Sequence, residues 1–327
     1  MAKLRLHIQE DEGHDEIYRI TPAAYARESV RFTEIADRLD VSFGANDERD
    51  DIGLATAEVL LCGYFNNTGL ATRAPKLRWV QSIFAGVDKL VPAIAPGVTL
   101  TNSSGIHAQK AGEYALGAML MLNSAVPHFI EAQRNKEWSQ RFTPSISRRT
   151  AVILGAGRLA QAVAKNAALL GMSVIGMART AGPRPDMPDC RGIDELRDVL
   201  PLADFLVMMV PNTPETRGLI GRYELGLLPA HAGIVSLGRA SVMDHDALVD
   251  RLEAGELSGA FLDVFEQEPV PASSRLWGAP RLIMSPHCAL DDGPDYVRLS
   301  LDLFFANMRR YLDGESLDNV VDTGRGY

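Results

Sequence analysis

The sequence predicts an α/β protein with two doubly wound parallel sheets. Three observations predict it. Short apolar runs alternate with helix-period segments almost throughout. The runs form two series separated by a long helical stretch, and 327 residues suffice for two domains. Such alternation is what parallel sheets covered by helices require.

The first series offers strands at LRLHI (4–8), VSFGA (41–45), EVLLC (58–62), LRWVQS (77–82) and VTLTN (98–102). A helix follows from about Ala108 to Leu122, and its stretch YALGAMLMLNSAV is too short to span a bilayer. The second series offers TAVIL (150–154), SVIGM (173–177), FLVMMV (205–210), GIVSLG (233–238), AFLDV (260–264) and RLIMS (281–285). Neither an exact repeat nor a low-complexity linker interrupts them.

Composition narrows the function. Hydrophobic residues make up 46% and charged residues 23%, an ordinary globular mixture. The net charge of -9 and the pI of about 5.3 repel nucleic acid and anionic membranes, so neither is an expected partner. Cys62, Cys190 and Cys288 lie far apart without metal-ligand spacing, so no metal is expected and a reducing compartment fits. With no secretory h-region at the N-terminus, the sequence reads as cytoplasmic.

The strongest single motif is ILGAGRLAQAVAKNAALLG (153–171), which places Gly155, Gly157 and Ala160 at the G-x-G-x-x-G/A positions between a strand and a helix. The first glycine permits the tight turn, the second lets a pyrophosphate approach the backbone, and the alanine allows close helix–sheet contact. Amides at the helix start then face the phosphates. A ligand-free strand–helix turn has the same glycines, so the motif gains weight from opening a βαβ unit. The next strand, SVIGMART, ends without the usual ribose-binding acid. Ala178 stands there, followed by Arg179 and Thr180, a charged fork and a hydroxyl suited to a 2′-phosphate. The expected cofactor is therefore NADP rather than NAD, the plain alternative being a solvated arginine.

Three later segments place reactive side chains at strand ends, where open α/β sheets bind ligands. They are IVSLGRASVMDHDAL with Arg239, GAFLDVFEQEPVP with Asp263 and Glu268, and LIMSPHCAL with His287. Singly, each has an ordinary explanation: a surface ion pair, a loop glutamate, a structural histidine.

In this order the segments resemble the D-isomer-specific 2-hydroxyacid dehydrogenase family, along essentially the whole chain. NSSGIHAQKAGEYALGAML and VPNTPETRGLI add to the match. The resemblance implies a Rossmann cofactor domain (103–289) inserted in a flavodoxin-like substrate domain (1–102 and 290–327). It makes Arg239, Glu268 and His287 the catalytic triad. Gly155, Gly157, Arg158, Leu159, Arg179, Thr180, Pro211, Thr216, Leu237 and Asp263 become cofactor residues, with Asp263 near the nicotinamide. Ala85 and Gly86, in QSIFAGVDKL, resemble the small-residue loop whose N–H groups bind the substrate carboxylate, together with Arg239 and His287. Tyr64 and Phe65 occupy a specificity region. Trp138 resembles a residue of the glyoxylate/hydroxypyruvate reductase-like branch, and segment 104–145 is expected to form a homodimer. Core packing is the other explanation for either aromatic group.

The implied activity is NADP-dependent reduction of a small 2-oxoacid, such as glyoxylate or hydroxypyruvate, to the D-2-hydroxyacid. Histidine titrates near neutrality and suits the proton donor; Glu268 orients it, and Arg239 holds the substrate carboxylate and polarises the ketone. The alternatives are a reductase of a larger branched or aromatic 2-oxoacid, or a dinucleotide-sensing protein without turnover. The sequence departs from the family pattern at Ala240, Ser236, His107 and the CALDD stretch after His287. Cys288, beside the histidine, has no activating partner in the sequence and receives no chemical role.

Overall fold

The computed structural model describes residues 3–9, 15–45, 48–63 and 65–326, with 48 and 49 described as backbone only. The chain forms two compact units, residues 1–106 with 292–327, and residues 107–291.

In the first unit, β1 (Leu4–Gln9), β2 (Leu39–Gly44), β3 (Val59–Cys62), β4 (Trp79–Ser82) and β5 (Thr99–Thr101) form a parallel sheet in the order β2-β1-β3-β4-β5. Every residue of β3 and β4 is buried, which explains why these runs lack polar alternation. The C-terminal helix Tyr296–Asp313 belongs to this unit. Its Phe304 stacks on Trp79 at 5.5 Å, and the Tyr296 hydroxyl donates to the Ile83 carbonyl at 3.1 Å.

The second unit contains β6 (Thr150–Leu154), β7 (Ser173–Ala178), β8 (Cys190–Gly192), β9 (Phe205–Met208), β10 (Gly233–Ser236), β11 (Gly259–Leu262) and β12 (Leu282–Met284). Its sheet is wholly parallel, in the order β12-β11-β10-β9-β6-β7-β8. Winding reverses between β6 and β9, which opens a crevice at their C-terminal ends. Strand β8 is not apparent in the sequence because its three residues, Cys190, Arg191 and Gly192, carry neither alternation nor an apolar run.

The helix Ala108–Asn123 buries Ala111, Ala115, Ala118, Met119 and Leu122, a stripe at helical spacing that explains its apolar sequence. It lies against the helix Arg158–Leu169. A Cβ on Gly112 would come 3.0 Å from the Ala162 carbonyl oxygen, so the glycine sets how closely the two helices approach. Among the described residues, no helix is long and apolar enough to cross a membrane.

Candidate active site

Three adjacent parallel strands deliver the reactive groups to one sheet edge. Arg239 follows β10, Asp263 follows β11 directly, and His287 follows β12. Glu268 lies further along the loop after β11.

The Glu268 and His287 side chains meet. Glu268 Oε2 is 2.8 Å from His287 Nδ1, and Glu268 Oε1 accepts from the Phe265 N–H at 2.9 Å. With both oxygens engaged, the carboxylate is fixed to its own loop, and the ring in turn to the carboxylate. His287 keeps 48% of its side chain exposed and meets the glutamate through Nδ1. Its backbone has φ 51, a left-handed conformation that few side chains adopt and that histidine tolerates better than most.

Asp263 is 2% exposed and holds the loop that carries the histidine. Its Oδ1 accepts from Ser285 Oγ at 2.6 Å and from the N–H groups of Cys288 and Ala289 at 3.1 Å each. Burial pushes this carboxyl up, against hydrogen bonds from Ser285, Ala289 and Cys288 and the charge of His287. Sequence reasoning placed Asp263 by the cofactor; the anchoring of the histidine loop by this residue was not legible.

Arg239 is half-buried, with extended backbone, and its Nη1 donates to the Gly238 carbonyl at 2.8 Å. Gly238 is required by close packing: a Cβ there would stand 2.8 Å from the Val210 carbonyl oxygen. Ala240, just after Arg239, is buried.

The glycine loop fits a dinucleotide pyrophosphate. Gly155 has φ 111, and a Cβ there would press within 3.1 Å of the Met209 carbonyl oxygen. A Cβ on Gly157 would meet nothing within 4 Å, so this residue leaves an open cradle. It precedes the helix Arg158–Leu169, whose first N–H groups have no side-chain cap. Ala160 is buried beneath, while Arg158 is exposed and Leu159 half-buried. On the β9 side, Thr216 Oγ1 donates to the Pro211 carbonyl at 2.6 Å and accepts from the Thr213 N–H at 2.9 Å, fixing that turn. The Leu237 side chain lies in the core, so only its main chain can meet a ligand.

Arg179 and Thr180 are exposed beyond the end of β7. Two neighbours were not singled out from sequence. Arg184 donates to the Thr180 carbonyl at 3.1 Å and to the Gly182 carbonyl at 2.8 Å. The Glu215 carboxyl is held below its usual range by hydrogen bonds from Thr213 and its own N–H, and by the Arg179 charge. The paired signal, a cation after one strand and an acid in the turn after another, emerges only from the strand order.

Within the first unit, Ala85 and Gly86 follow β4 in a half-buried turn. Asn102 Nδ2 donates to the Ala85 carbonyl at 2.9 Å, and the Ser103 N–H donates to the Phe84 carbonyl at 3.1 Å. Among the described residues, neither Ala85 nor Gly86 gives its N–H to a main-chain carbonyl. Phe65 packs partly buried against a core cluster; Tyr64 lies outside the described residues. In the second unit, Trp138 is 93% exposed, which removes core packing as its explanation. His107 is buried just before the helix Ala108–Asn123. Burial, then the charges of Asp263 and Asp291, push the Cys288 thiol up, away from the reactive thiolate.

The family model for the D-isomer specific 2-hydroxyacid dehydrogenase, NAD binding domain, matches residues 116–289, more than half of the chain. The chain belongs to the D-isomer-specific 2-hydroxyacid dehydrogenase family. Glyoxylate/hydroxypyruvate reductase B of Pectobacterium carotovorum subsp. carotovorum is 32% identical over 314 residues, covering 90% of this chain and 97% of that relative. D-3-phosphoglycerate dehydrogenase of Methanocaldococcus jannaschii is 27% identical over 90% of this chain, and the match spans only 57% of that longer protein. Among solved structures, a D-isomer specific 2-hydroxyacid dehydrogenase from Xanthobacter autotrophicus Py2, in complex with NADPH and MES, superposes with a TM-score of 0.86 at 28% identity and full coverage of both chains. This member of the 2-hydroxyacid dehydrogenase family is therefore an oxidoreductase that uses a nicotinamide dinucleotide.

Proposed function

We propose that this enzyme reduces a small 2-oxoacid of the glyoxylate or hydroxypyruvate kind to the D-2-hydroxyacid, with NADPH as reductant and His287 as proton donor. The Glu268–His287 hydrogen bond, at the sheet edge that also bears Arg239, is the observation that carries this reading. The bound cofactor supplies hydride to the keto carbon. As the new C–H bond forms and the C=O π pair moves to oxygen, protonated His287 gives that oxygen its proton from Nε2 and finishes neutral. Glu268 keeps the ring aimed through Nδ1. Arg239 places fixed positive charge beside the substrate carboxylate and the developing alkoxide. Taken by itself, the first unit offers the N–H groups of Ala85 and Gly86, which suit a carboxylate.

NADPH is favoured over NADH by Arg179 and Thr180 at the end of β7, where a 2′-phosphate meets a cation instead of a carboxylate. The NADPH complex of the Xanthobacter relative supports the same choice. Exposed Trp138 and Phe142, 93% and 91% accessible, suit burial against a second copy of the chain and support a homodimer.

The decisive experiment offers purified protein a panel of 2-oxoacids with NADPH beside NADH. Oxidation of NADPH by glyoxylate or hydroxypyruvate is expected. Tight NADPH binding without turnover across the panel would overturn the reading in favour of a dinucleotide sensor.

A further inference from the structure

We propose that Ser285 is a positioning residue for His287, holding the histidine loop through its hydrogen bond to the buried Asp263 carboxylate. The inference rests on the reading of His287 as proton donor, and it concerns how that donor is held.

The loop is tied on both sides of the histidine. Before it, Ser285 Oγ donates to Asp263 at 2.6 Å; after it, the N–H groups of Cys288 and Ala289 donate to the same oxygen at 3.1 Å. The His287 N–H itself donates to the Ser285 carbonyl at 3.0 Å. A left-handed, non-glycine residue such as His287, at φ 51, keeps its conformation only where its surroundings over-determine it. Asp263 and Ser285 provide that constraint.

An ionised carboxylate only accepts hydrogen bonds, so the Ser285 hydroxyl proton is committed to Asp263. Without Ser285 Oγ, the buried carboxylate loses its shortest hydrogen bond and its hold on the Cys288 and Ala289 amides weakens.

The test compares Ser285→Ala and Ser285→Thr with the wild type, measuring kcat, NADPH Kd and Tm. Ser285→Ala is expected to lower kcat about 10-fold with NADPH Kd within about twofold, and Ser285→Thr to restore most of the loss. Unchanged kcat in Ser285→Ala, or parallel losses of kcat and cofactor affinity, would overturn the proposal. Separately, full turnover in His287→Asn would sink the proton-donor reading itself, whatever Ser285 does.

Discussion

Glu268 Oε2 and His287 Nδ1 stand 2.8 Å apart, and the other glutamate oxygen is already taken by the Phe265 N–H. The imidazole is therefore aimed by a carboxylate that cannot turn away without breaking a bond to its own loop. Glu268→Gln keeps the size but offers one acceptor where two are used, so kcat should fall while NADPH Kd holds. His287→Asn should cost more, roughly 10²–10⁴-fold in kcat, the range of a positioned general acid. Steady-state kinetics beside cofactor titration separate the two effects, and equal loss of turnover and cofactor binding would make the pair structural.

Gly157 and Gly238 share a residue type and differ in purpose. A Cβ at Gly157 meets open space, whereas one at Gly238 meets the Val210 carbonyl oxygen at 2.8 Å and Met209 Cα at 3.2 Å. Gly157→Val should therefore fold with an unchanged Tm and lose dinucleotide affinity about 10-fold or more, because the side chain enters the phosphate cradle. Gly238→Ala forces main chain to move and should cost about 1–3 kcal/mol of stability. Thermal unfolding beside NADPH titration tells the two apart.

The strands were legible wherever burial is two-sided, as in TAVIL, which spans β6 from Thr150 to Leu154. The three-residue strand β8 was not, because Arg191 at its centre breaks any apolar run. Gly155 was readable because its positive φ restricts the residue type, and Gly157 because the spacing of the glycine motif marks it. Arg239, Glu268 and His287 gained meaning from their order along the chain. The Asp263–Ser285 bond stayed hidden: the two residues are far apart in sequence, and a serine at that position is commonplace. The opposition of Arg179 and Glu215 was hidden for the same reason, since β6 lies between the strands that lead to them.

Under the proposed NADPH preference, Arg179 is the cation that selects the cofactor, and the Glu215 carboxylate opposes it. The carboxylate competes with a 2′-phosphate for the same guanidinium, in an exposed setting where such attractions are modest. Arg179→Asp should weaken NADPH use more than NADH use. Glu215→Gln should shift the ratio of kcat/KM values toward NADPH, about two- to fivefold, and only while Arg179 is present. An unchanged ratio in Arg179→Asp would refute the NADP assignment; an unchanged ratio in Glu215→Gln alone would remove only the competition.

Trp138 and Phe142 expose aromatic surface that a lone chain in water gains by covering. The Trp138→Asp/Phe142→Asp double variant should shift the protein from dimer to monomer in light scattering after size exclusion, with the second unit still folded by circular dichroism. A wild-type protein that is monomeric at micromolar concentration would end the homodimer proposal.

His7 makes the first unit sensitive to acid. Its ring is wholly buried, with Nδ1 at 2.9 Å from Ser42 Oγ and Nε2 at 3.3 Å from Gln9 Oε1; Gln9 in turn donates to Asp50 at 3.1 Å. A Cβ on Gly53 would lie 2.2 Å from the ring, so the helix Glu48–Thr56 seals it in. Burial lowers the His7 pKa from 6.5, against the Gln9 hydrogen bond and the Asp50 charge, while the Arg73 charge lowers it further. Above 6.5 both folded and unfolded chains hold the histidine neutral, and no penalty arises. Below it the unfolded chain takes up a proton that the folded chain refuses, so stability falls as pH drops toward the folded pKa. The Tm should thus decline between about pH 7.5 and about pH 5, and His7→Gln should flatten that decline even if it lowers Tm at neutral pH. His245, buried in the second unit and lowered by the same desolvation, accounts for acid sensitivity that persists in the variant. An identical pH slope in wild type and His7→Gln would show that the ring is neutral to the stability of this unit.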